Sequence, residues 1–405
     1  MKHLALKTVT SLNREFGGAA MNFANAADVA RRLAPEDPIF CFSADKLKSR
    51  AQRFLSGFPG EVAYAVKCNS GAHVLAALGE AGMTMFDVAS VHEMRSVRES
   101  VANSRFHYHN PVKSRREIAD AYRIFGCKRF AADDAQEVAK IAEVTGGGAL
   151  IEVAVRFRLP RLGGSSAHDF STKFGATQEE AVVLLSDIAA RGMRPALTFH
   201  PGSQCVDPMA YVRHIEAAAK IAAAAGVRLV ALNVGGGFPA HYKGSTLPPL
   251  EAFFRAIADA ARREFGDAMP PLECEPGRGI VAPSTSLLTR VKMAKQARAE
   301  VFLNDGIYGA LMEISQVPDI VPPHRVIRDG KVLEGVKVSD FTIYGPTCDP
   351  LDRLPVAFSL PCDIREGDFI EFGAIGAYGA ATCTRFNGYE PADVEPVRDV
   401  LGSMN

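Results

Sequence analysis

The feature that most constrains the fold is a unit that recurs eight times between about residues 60 and 280. In each unit a short apolar run, often β-branched, ends in a polar or charged residue. Ala-rich segments with apolar residues at every third or fourth position fill most of the intervals, and most of them end in Gly. This pattern predicts strands that alternate with helices. Continuous apolar strands of this kind indicate a parallel sheet buried on both faces.

Eight units predict an α/β fold of the (β/α)8 TIM-barrel type, with an open doubly wound sheet as the alternative. The polar ends of the runs fall near residues 67, 87, 109, 132, 156, 200, 235 and 275. The carboxyl ends of barrel strands form the active site, so these polar residues would share one face. The number of units and the polar residue that closes every run favour the barrel.

The second part of the chain has a different pattern. After about residue 283 the helical periodicity weakens, and apolar segments separated by Gly, Pro and Asp predict strands of a β-sandwich or β-barrel. A chain of 405 residues also exceeds what one compact core usually holds. We therefore predict a barrel domain over residues 37–282. Residues 1–36 and 283–405 would form a second, mostly β-strand domain.

Composition excludes several classes of partner. Acidic and basic residues number 46 each, which gives no electrostatic reason to expect nucleic acid or an anionic membrane. The sequence has neither a membrane-length apolar run nor a signal peptide, so a cytoplasmic location is expected. The eight Cys lack metal-ligand spacing, and His107 and His109 have no acidic or Cys neighbours in the sequence. No metal site is therefore predicted.

Three blocks at strand ends carry the chemistry of a cofactor site. Lys67 closes the first run, where a desolvated amine could form a Schiff base with a carbonyl, although a surface lysine is the plain alternative. Gly235–Gly237 closes the seventh run and would let backbone N–H groups approach an anion. Glu275-Pro276-Gly277-Arg278 closes the eighth, and Arg278 could clamp a phosphate. Barrels typically bind phosphate after strands seven and eight, which favours this interpretation over two tight turns.

Other polar residues extend this candidate site. Asp87, Arg156 and His200 close further runs on the same predicted face, and His200 could stack on a flat ring or move a proton. In the second domain, Cys348 and Asp349 lie in a Gly-Pro loop. The thiol could donate a proton and the carboxylate could hold a cation, unless the loop is a plain turn.

Taken together, these blocks resemble the fold-type III pyridoxal-phosphate-dependent decarboxylases, the family of ornithine and lysine decarboxylases. The resemblance runs from about Ile39 to Tyr389. Its motifs in this sequence are Tyr64–Asn69, Phe86–Ser90, Ser171–Gly175, Phe199–Ser203, Gly235–Pro239, Glu275–Arg278, Gly345–Arg353, Gly376–Tyr378 and Phe386–Gly388.

The resemblance implies pyridoxal 5′-phosphate as the cofactor and a role for each matching residue. Lys67 would form the Schiff base, Glu275 would bind the pyridine nitrogen and His200 would stack on the ring. Asp87 and Arg156 would support the lysine and the ring. The remaining cofactor-binding residues, mostly around the phosphate, would be Ser203, Gly235, Gly236, Gly237, Gly277, Arg278 and Tyr378.

The resemblance also implies a substrate and an assembly. Cys348 would return a proton to the carbon that loses CO₂, and Asp349 would meet the distal amine of the substrate. In the family this pair comes from the partner subunit, so a homodimer with shared active sites is implied, with the second domain at the interface. The implied reaction converts ornithine or lysine to putrescine or cadaverine, as in polyamine biosynthesis.

The sequence departs from the family after the segment that contains Tyr308. Ornithine decarboxylases usually carry a Tyr-Asp pair there, but this chain has Gln316 and Val317. Glu313 or Asp319 could replace the missing carboxylate if the register shifts, and we therefore group Tyr308 and Glu313 with Asp349 as candidate substrate-binding residues.

Three alternatives to an ornithine or lysine decarboxylase remain open. A diaminopimelate or a carboxynorspermidine decarboxylase would use the same chemistry, and Gly202-Ser203-Gln204 resembles the diaminopimelate type. Both enzymes recognise a distal carboxylate on the substrate, and both match this chain less well around Cys348 and Asp349. A non-catalytic homologue would be expected to lack Lys67 or the phosphate-binding residues, all of which are present.

Overall fold

A computed structural model describes residues 23–160, 173–317 and 320–402. Ser171 and Thr172 of one family motif, and Asp319, lie outside these residues. The described chain begins with helix α1 (Ala26–Leu33), strand β1 (Ile39–Phe42) and helix α2 (Ala44–Gly57).

Eight parallel strands then close a barrel in chain order. They are β2 Glu61–Ala65, β3 Met85–Val88, β4 Arg105–Tyr108, β5 Arg129–Ala132, β6 Glu152–Arg156, β7 Arg194–Thr198, β8 Leu232–Asn233 and β9 Leu272–Cys274. The eight predicted units and the barrel are confirmed, and the open doubly wound sheet is wrong because β9 pairs with β2.

The barrel strands carry two different faces because side chains alternate along a strand. On β6, Val153 and Val155 belong to the hydrophobic core that includes the surrounding helices. The alternate residues, Glu152, Ala154 and Arg156, share the other face, which is the barrel interior. Ala154 packs there with Ala196 and Ala231, and these small side chains leave room for larger polar ones.

Charged side chains fill the amino-terminal end of the barrel interior. The Arg129 Nη1 atom lies 2.6 Å from Glu61, 3.0 Å from Glu273 and 2.8 Å from the ring of the fully buried His107. Glu152 lies 3.9 Å from Arg129 and also contacts a second arginine on β7. Buried charges are tolerated only when they are paired, and here each carboxylate has an arginine beside it.

Several of the helices that surround the barrel have caps that the sequence encodes locally. They are α3 Ala72–Glu80, α4 Val91–Ser100, α5 Arg115–Arg123, α6 Ala135–Thr145, α7 Gln178–Ala190, α8 Pro208–Ala225 and α9 Leu250–Phe265. Ser114 and Thr177 begin α5 and α7 with capping boxes, and Gly146 and Gly226 end α6 and α8 in the left-handed conformation. None of the described helices is both long enough and apolar enough to span a membrane.

The second domain is built on one connected sheet of nine strands within the described residues. It contains β1 together with β10 Thr285–Lys295, β11 Glu300–Leu303, β12 His324–Arg328, β13 Lys331–Val332, β14 Val338–Tyr344, β15 Phe358–Pro361, β16 Phe369–Phe372 and β17 Asp393–Pro396. The short helix α10 (Arg278–Val281) precedes β10, and the short helix α11 (Met312–Gln316) follows β11. The mostly β-strand character is confirmed.

The arrangement of this sheet differs from the expected sandwich or closed barrel. The long strand β10 pairs with β1 and β16 along its first half and with β11 along its second half, so one strand joins both parts of a single sheet. Strand β1 pairs with β10 and β17, which puts Ile39–Phe42 in this sheet rather than in the barrel. The domain boundaries at residues 37 and 282 stay predictions.

One loop of the second domain packs directly beside Lys67. Asn69 donates a side-chain hydrogen bond of 3.0 Å to the Gly376 carbonyl, and the Tyr378 N–H donates one of 2.8 Å to the Cys68 carbonyl. A Cβ atom on Gly376 would lie 1.9 Å from the Val281 carbonyl oxygen. Glycine at 376 therefore allows the close approach that brings Tyr378 to the barrel.

We expect Gly376→Ala to lower the free energy of unfolding by roughly 1–3 kcal/mol, because the backbone must move to relieve the overlap. Urea unfolding would measure the change. Gly402→Ala is the matched control, since its Cβ would make only ordinary contacts of 3.4 Å or more. Equal stability of the two variants would contradict the close-packing argument.

Candidate active site

A cleft of about 1120 Å³ opens at the carboxyl ends of the barrel strands. Many of the residues predicted from the sequence line it, from both the barrel and the second domain. They are Lys67, Asp87, Arg156, His200, Ser203, Gly236, Gly237, Glu275, Gly277, Arg278 and Tyr378. Gly235 lies next to this lining, where its N–H donates a 2.8 Å hydrogen bond to Asn233. The barrel thus brings together strand ends that are up to about 210 residues apart in the sequence.

Lys67 is held by an ion pair at one side of the cleft. It lies in a single 3₁₀ turn after β2, and its Nζ atom is 2.8 Å from the buried Asp87 carboxylate. Burial of the site lowers the pKa of Lys67, but the attraction of Asp87, Tyr378 and Cys68 outweighs it and raises the pKa above its ordinary value. The Lys67 side chain is 43% exposed and lines the cleft, so it remains accessible.

Glu275 is surrounded by three nitrogen atoms that all contact the same oxygen, Oε1. The Asn233 amide donates to it over 2.7 Å, and His107 Nδ1 lies at 3.4 Å. His109 Nδ1 also contacts Oε1 closely. Burial raises the pKa of Glu275, but His109 and His107 outweigh burial and hold it well below its ordinary value. Glu275 is therefore an ionised carboxylate deep in the site.

His107 and His109 were missed as site residues because their partners are remote in the sequence. The two rings stack with centroids 4.7 Å apart, and both lie beside Glu275, more than 160 residues further along the chain. Their donor atoms and a Glu275 oxygen lie within 4.8 Å of one another. The argument that no acidic group is near them is therefore wrong. The alternation in His107-Tyr108-His109 was the available signal, because it puts both imidazoles on one face of β4.

His200 and Arg156 occupy the barrel side of the cleft. Burial, together with the nearby Arg156 and Lys67, lowers the pKa of His200 to about 3, so the ring is neutral at neutral pH. The Gly202 N–H donates a 3.0 Å hydrogen bond to His200 Nδ1, which therefore accepts and leaves the ring proton on Nε2. Burial lowers the pKa of Arg156 against the opposite effect of Glu275, Asp133 and Asp87.

The glycines after β8 are required by close backbone packing. A Cβ on Gly235 would lie 2.0 Å from the Phe199 carbonyl oxygen, and one on Gly237 would lie 2.4 Å from the Gly202 carbonyl oxygen. Both glycines also have positive φ, at 70° and 91°. The loop therefore packs its backbone against the segment after β7, as an anion-binding loop of backbone N–H groups would need.

Arg278 is buried and has several partners. Its Nη1 atom donates to Tyr242 over 2.7 Å and to Glu313 over 2.9 Å, and Nη2 contacts the other Glu313 oxygen. Ser203 Oγ lies 3.5 Å from Nη2, and the Tyr378 ring is 5.2 Å from the guanidinium carbon. Burial lowers the pKa of Arg278, but Tyr242 and Glu313 outweigh it and keep the pKa well above its ordinary value.

The structure gives Glu313 a partner different from the one that its sequence position suggested. We had grouped it with Asp349, but its carboxylate pairs with Arg278 on the cofactor side. Tyr308 does contact Asp349, since its hydroxyl donates a 2.5 Å hydrogen bond to Oδ2. A role for Glu313 in substrate binding stays a prediction.

Cys348, Asp349 and Tyr308 form a second cluster that does not line the cleft of the described chain. Cys348 is exposed, and its N–H donates a 3.0 Å hydrogen bond to Asn387. The Tyr308 ring packs on Phe386 with centroids 4.7 Å apart. The cluster therefore faces outward, on loops of the second domain.

Two buried carboxylates shape these loops. Asp305 accepts the N–H groups of Gly306 and Ala310, and burial raises its pKa to about 7. Asp352 accepts the N–H groups of Ile307 and Thr347, so it ties the Tyr308 loop to the Cys348 loop. A Cβ on Gly306 or on Gly345 would lie 2.2 Å from Asp352 Oδ1, which explains glycine at both positions.

The residues of the cleft fit a phosphorylated carbonyl cofactor with a basic ring nitrogen. Lys67 provides an accessible amine, and the buried Glu275 provides an ionised carboxylate. A glycine loop and a buried arginine lie together, as a phosphate site requires. Both ring nitrogens of His109, which lines the cleft, are buried without a satisfied hydrogen bond among the described residues.

Comparison with known proteins points to the same cofactor. The family model for the pyridoxal binding domain of pyridoxal-dependent decarboxylases matches residues 44–282. The lysine/ornithine decarboxylase of Selenomonas ruminantium is 33% identical over 362 residues, covering 87% of each chain.

Solved structures are similar over nearly the whole chain. One is the lysine/ornithine decarboxylase of Vibrio vulnificus complexed with putrescine, with a TM-score of 0.77 and 26% identity, covering 91% of this chain and 96% of that one. Another is SrLDC in complex with PLP and cadaverine. Its TM-score is 0.77 and its identity 30%, and the match covers 90% of this chain and 91% of that one.

We expect Glu313→Gln to lower the free energy of unfolding of the cofactor-free protein by about 3 kcal/mol, because it leaves the Arg278 charge buried without its partner. Inorganic phosphate should recover part of this loss by binding the folded state. Urea unfolding with and without phosphate would measure both effects.

The control for this variant is Glu251→Gln, which breaks the exposed ion pair between Glu251 and Arg53. That substitution should cost less than about 1 kcal/mol and should not respond to phosphate. If Glu313→Gln behaves like the control, Arg278 does not depend on Glu313.

Proposed function

The chain belongs to the pyridoxal-dependent decarboxylases, and from that premise we propose that it decarboxylates ornithine or lysine to give the diamine. It is a carboxy-lyase that uses pyridoxal phosphate. The observation that carries the proposed substrate is the cluster of Asp349, Tyr308 and the exposed Cys348, in which a carboxylate and a thiol are neighbours in the sequence. The V. vulnificus relative binds putrescine, a diamine of the proposed product class.

Residues that line the cleft would hold the cofactor. Lys67 would bind its carbonyl carbon, and Arg278, Ser203 and the Gly235–Gly237 loop would hold its phosphate. Glu275 would bind the ring nitrogen, and the neutral His200 would stack on the ring. Bound pyridoxal phosphate supplies a ring that can accept the electron pair left behind when CO₂ departs.

Proton positions around Lys67 follow from its ion pair. An ammonium group is not a nucleophile, so Lys67 must lose a proton before it can attack a carbonyl. Asp87, at 2.8 Å, holds the amine in place and is the nearest group able to share that proton. Glu275 would keep a proton on the cofactor nitrogen, because an ionised carboxylate stabilises the cationic partner.

A second copy of the chain would complete the substrate side of the cleft. Asp349 and Cys348 do not line the cleft of their own described chain, and both lie on exposed loops. We therefore propose a homodimer in which each subunit supplies this pair to the other subunit. Asp349 would bind the distal ammonium group, and Cys348 would deliver a proton to the carbon that has lost CO₂.

The charges near the substrate end favour a basic amino acid. Asp349 would repel the distal carboxylate of a diaminopimelate-type substrate and attract a distal ammonium group. Gln316 and Val317 add no charge where the family usually has a second carboxylate, and Glu313 is paired with Arg278. A single carboxylate on Asp349 would thus meet the single positive charge of ornithine or lysine.

A panel of amino acids tests the proposed reaction. With pyridoxal phosphate present, we expect CO₂ release from ornithine or lysine and little from diaminopimelate. Lys67→Ala should lose both the cofactor absorbance band and CO₂ release, because the anchoring amine is gone. Release from none of the basic amino acids would refute the proposed substrate class, even though the cofactor still bound.

Asp349→Asn tests recognition of the distal amine. We expect KM for the preferred basic amino acid to rise roughly 10- to 100-fold, because a hydrogen bond between two charged groups is lost, with a smaller change in kcat. Steady-state CO₂ assays would measure both constants. Asp340→Asn is the matched control, because Asp340 is an exposed carboxylate of the same domain that binds Ser359. A rise in KM shared by both variants would exclude a specific role for Asp349.

A further inference from the structure

The two oxygens of Glu275 have different surroundings. Asn233, His107 and His109 all contact Oε1. No hydrogen bond joins Oε2 to any residue in the described part of the chain. A buried carboxylate with three nitrogen atoms at one oxygen and no hydrogen bond at the other is positioned for a ligand that donates to the second oxygen.

The direction of the Asn233 hydrogen bond is fixed by its own neighbour. The Asn233 carbonyl oxygen accepts the Gly235 N–H over 2.8 Å, so the amide nitrogen must face Glu275. The loop that begins at Gly235 therefore also holds the amide that orients Glu275.

The direction of the His107 hydrogen bond is fixed from the opposite side. Arg129 can only donate, and its Nη1 atom lies 2.8 Å from His107 Nε2. In this contact Nε2 accepts, which leaves the ring proton on Nδ1. Burial lowers the pKa of His107, but Glu273 and Glu275 outweigh it and raise the pKa to about 9. Nδ1 therefore carries a proton next to Glu275 whether the ring is neutral or charged. The charge network at the amino-terminal end of the barrel thus sets the proton position of His107.

His109 links this arrangement to the cleft. Its side chain is only 4% exposed, it lines the cleft, and its Nδ1 atom contacts Glu275 Oε1. Neither ring nitrogen has a satisfied hydrogen bond among the described residues, so Nδ1 meets Oε1 as an ion-pair contact and Nε2 is left without a partner there. A buried polar atom without a partner is costly, so this part of the cleft is arranged around an occupant.

We propose that His107, His109 and Asn233 are positioning residues that hold Oε1 of Glu275 and so leave Oε2 to bind the protonated ring nitrogen of pyridoxal phosphate. None of the three would take part in bond breaking. They act through Glu275, which would keep its charge and its orientation only while Oε1 is held. The proposal rests on the proposed role of Glu275 at the ring nitrogen and does not depend on the substrate.

A cofactor analogue separates this role from a general structural one. The analogue is the deaza form of pyridoxal phosphate, in which a CH group replaces the ring nitrogen and no bond to Glu275 can form. We expect His109→Ala to weaken pyridoxal phosphate binding about tenfold or more, the effect of one hydrogen bond to a charged group. Binding of the deaza analogue should change less than about twofold.

Affinities would be measured by titrating cofactor-free protein with either compound and following absorbance, with a chelator present to exclude bound metal. His109→Asn, which keeps an N–H group close to the position of Nδ1, should restore most of the preference for pyridoxal phosphate. If the alanine variant does not fold, His109→Leu fills the volume without a donor and carries the same comparison. His73→Ala is the control, because His73 is a partly buried histidine that packs on Phe42.

A double-mutant cycle decides whether His109 acts through Glu275. If it does, Glu275→Gln should lose the preference for pyridoxal phosphate, and adding His109→Ala should cause no further loss. Equal weakening of both compounds by His109→Ala, or independent effects of the two substitutions, would overturn the proposal. Loss of the preference in Glu275→Gln with no activity on any basic amino acid would leave this inference standing while the proposed substrate fails.

Discussion

The barrel and its active site both depend on paired charges in the barrel interior, which is lined by charged side chains rather than by large apolar ones. Arg129 holds carboxylates from the first and last strands of the barrel, Glu61 and Glu273, together with the ring of His107. Breaking one such buried pair costs several kcal/mol, because the remaining charge stays buried. The same contacts extend through His107 to Glu275, so the network that stabilises the amino-terminal end also orients the carboxylate at the carboxyl end.

The sequence predicted those parts of the fold and the site that depend on one residue and its neighbours in the chain. The polar residue after each apolar run predicted the barrel and its active face, because strand ends share one rim. The same argument did not identify His107 and His109 as site residues, because their partner Glu275 lies five strands further along the chain. Glu313 was associated with the substrate because of its position after Tyr308, yet its helix carries it to Arg278. Spacing along one segment cannot show which distant charge a side chain meets.

One loop of the second domain packs against the barrel beside Lys67. The two residues that follow Lys67 bind this loop, since Cys68 accepts the N–H of Tyr378 and Asn69 donates to Gly376. Tyr378 adopts a left-handed conformation with φ of 62°, which is unfavourable for a tyrosine and is maintained by these contacts. Family resemblance identified Tyr378, but no local pattern predicted that a loop about 310 residues away in sequence would lie against Lys67.

The pairing of Arg278 with Glu313 has a consequence for how the protein selects its cofactor. In the free protein the Glu313 carboxylate neutralises Arg278. A phosphate that binds Arg278 would therefore replace one negative group with another. A phosphorylated vitamer brings a dianion that can compete with a single carboxylate for the guanidinium, whereas the unphosphorylated aldehyde brings nothing to exchange. If Arg278 binds the phosphate as proposed, the ion pair with Glu313 would disfavour binding of the unphosphorylated aldehyde and would keep the buried guanidinium neutralised before the cofactor binds.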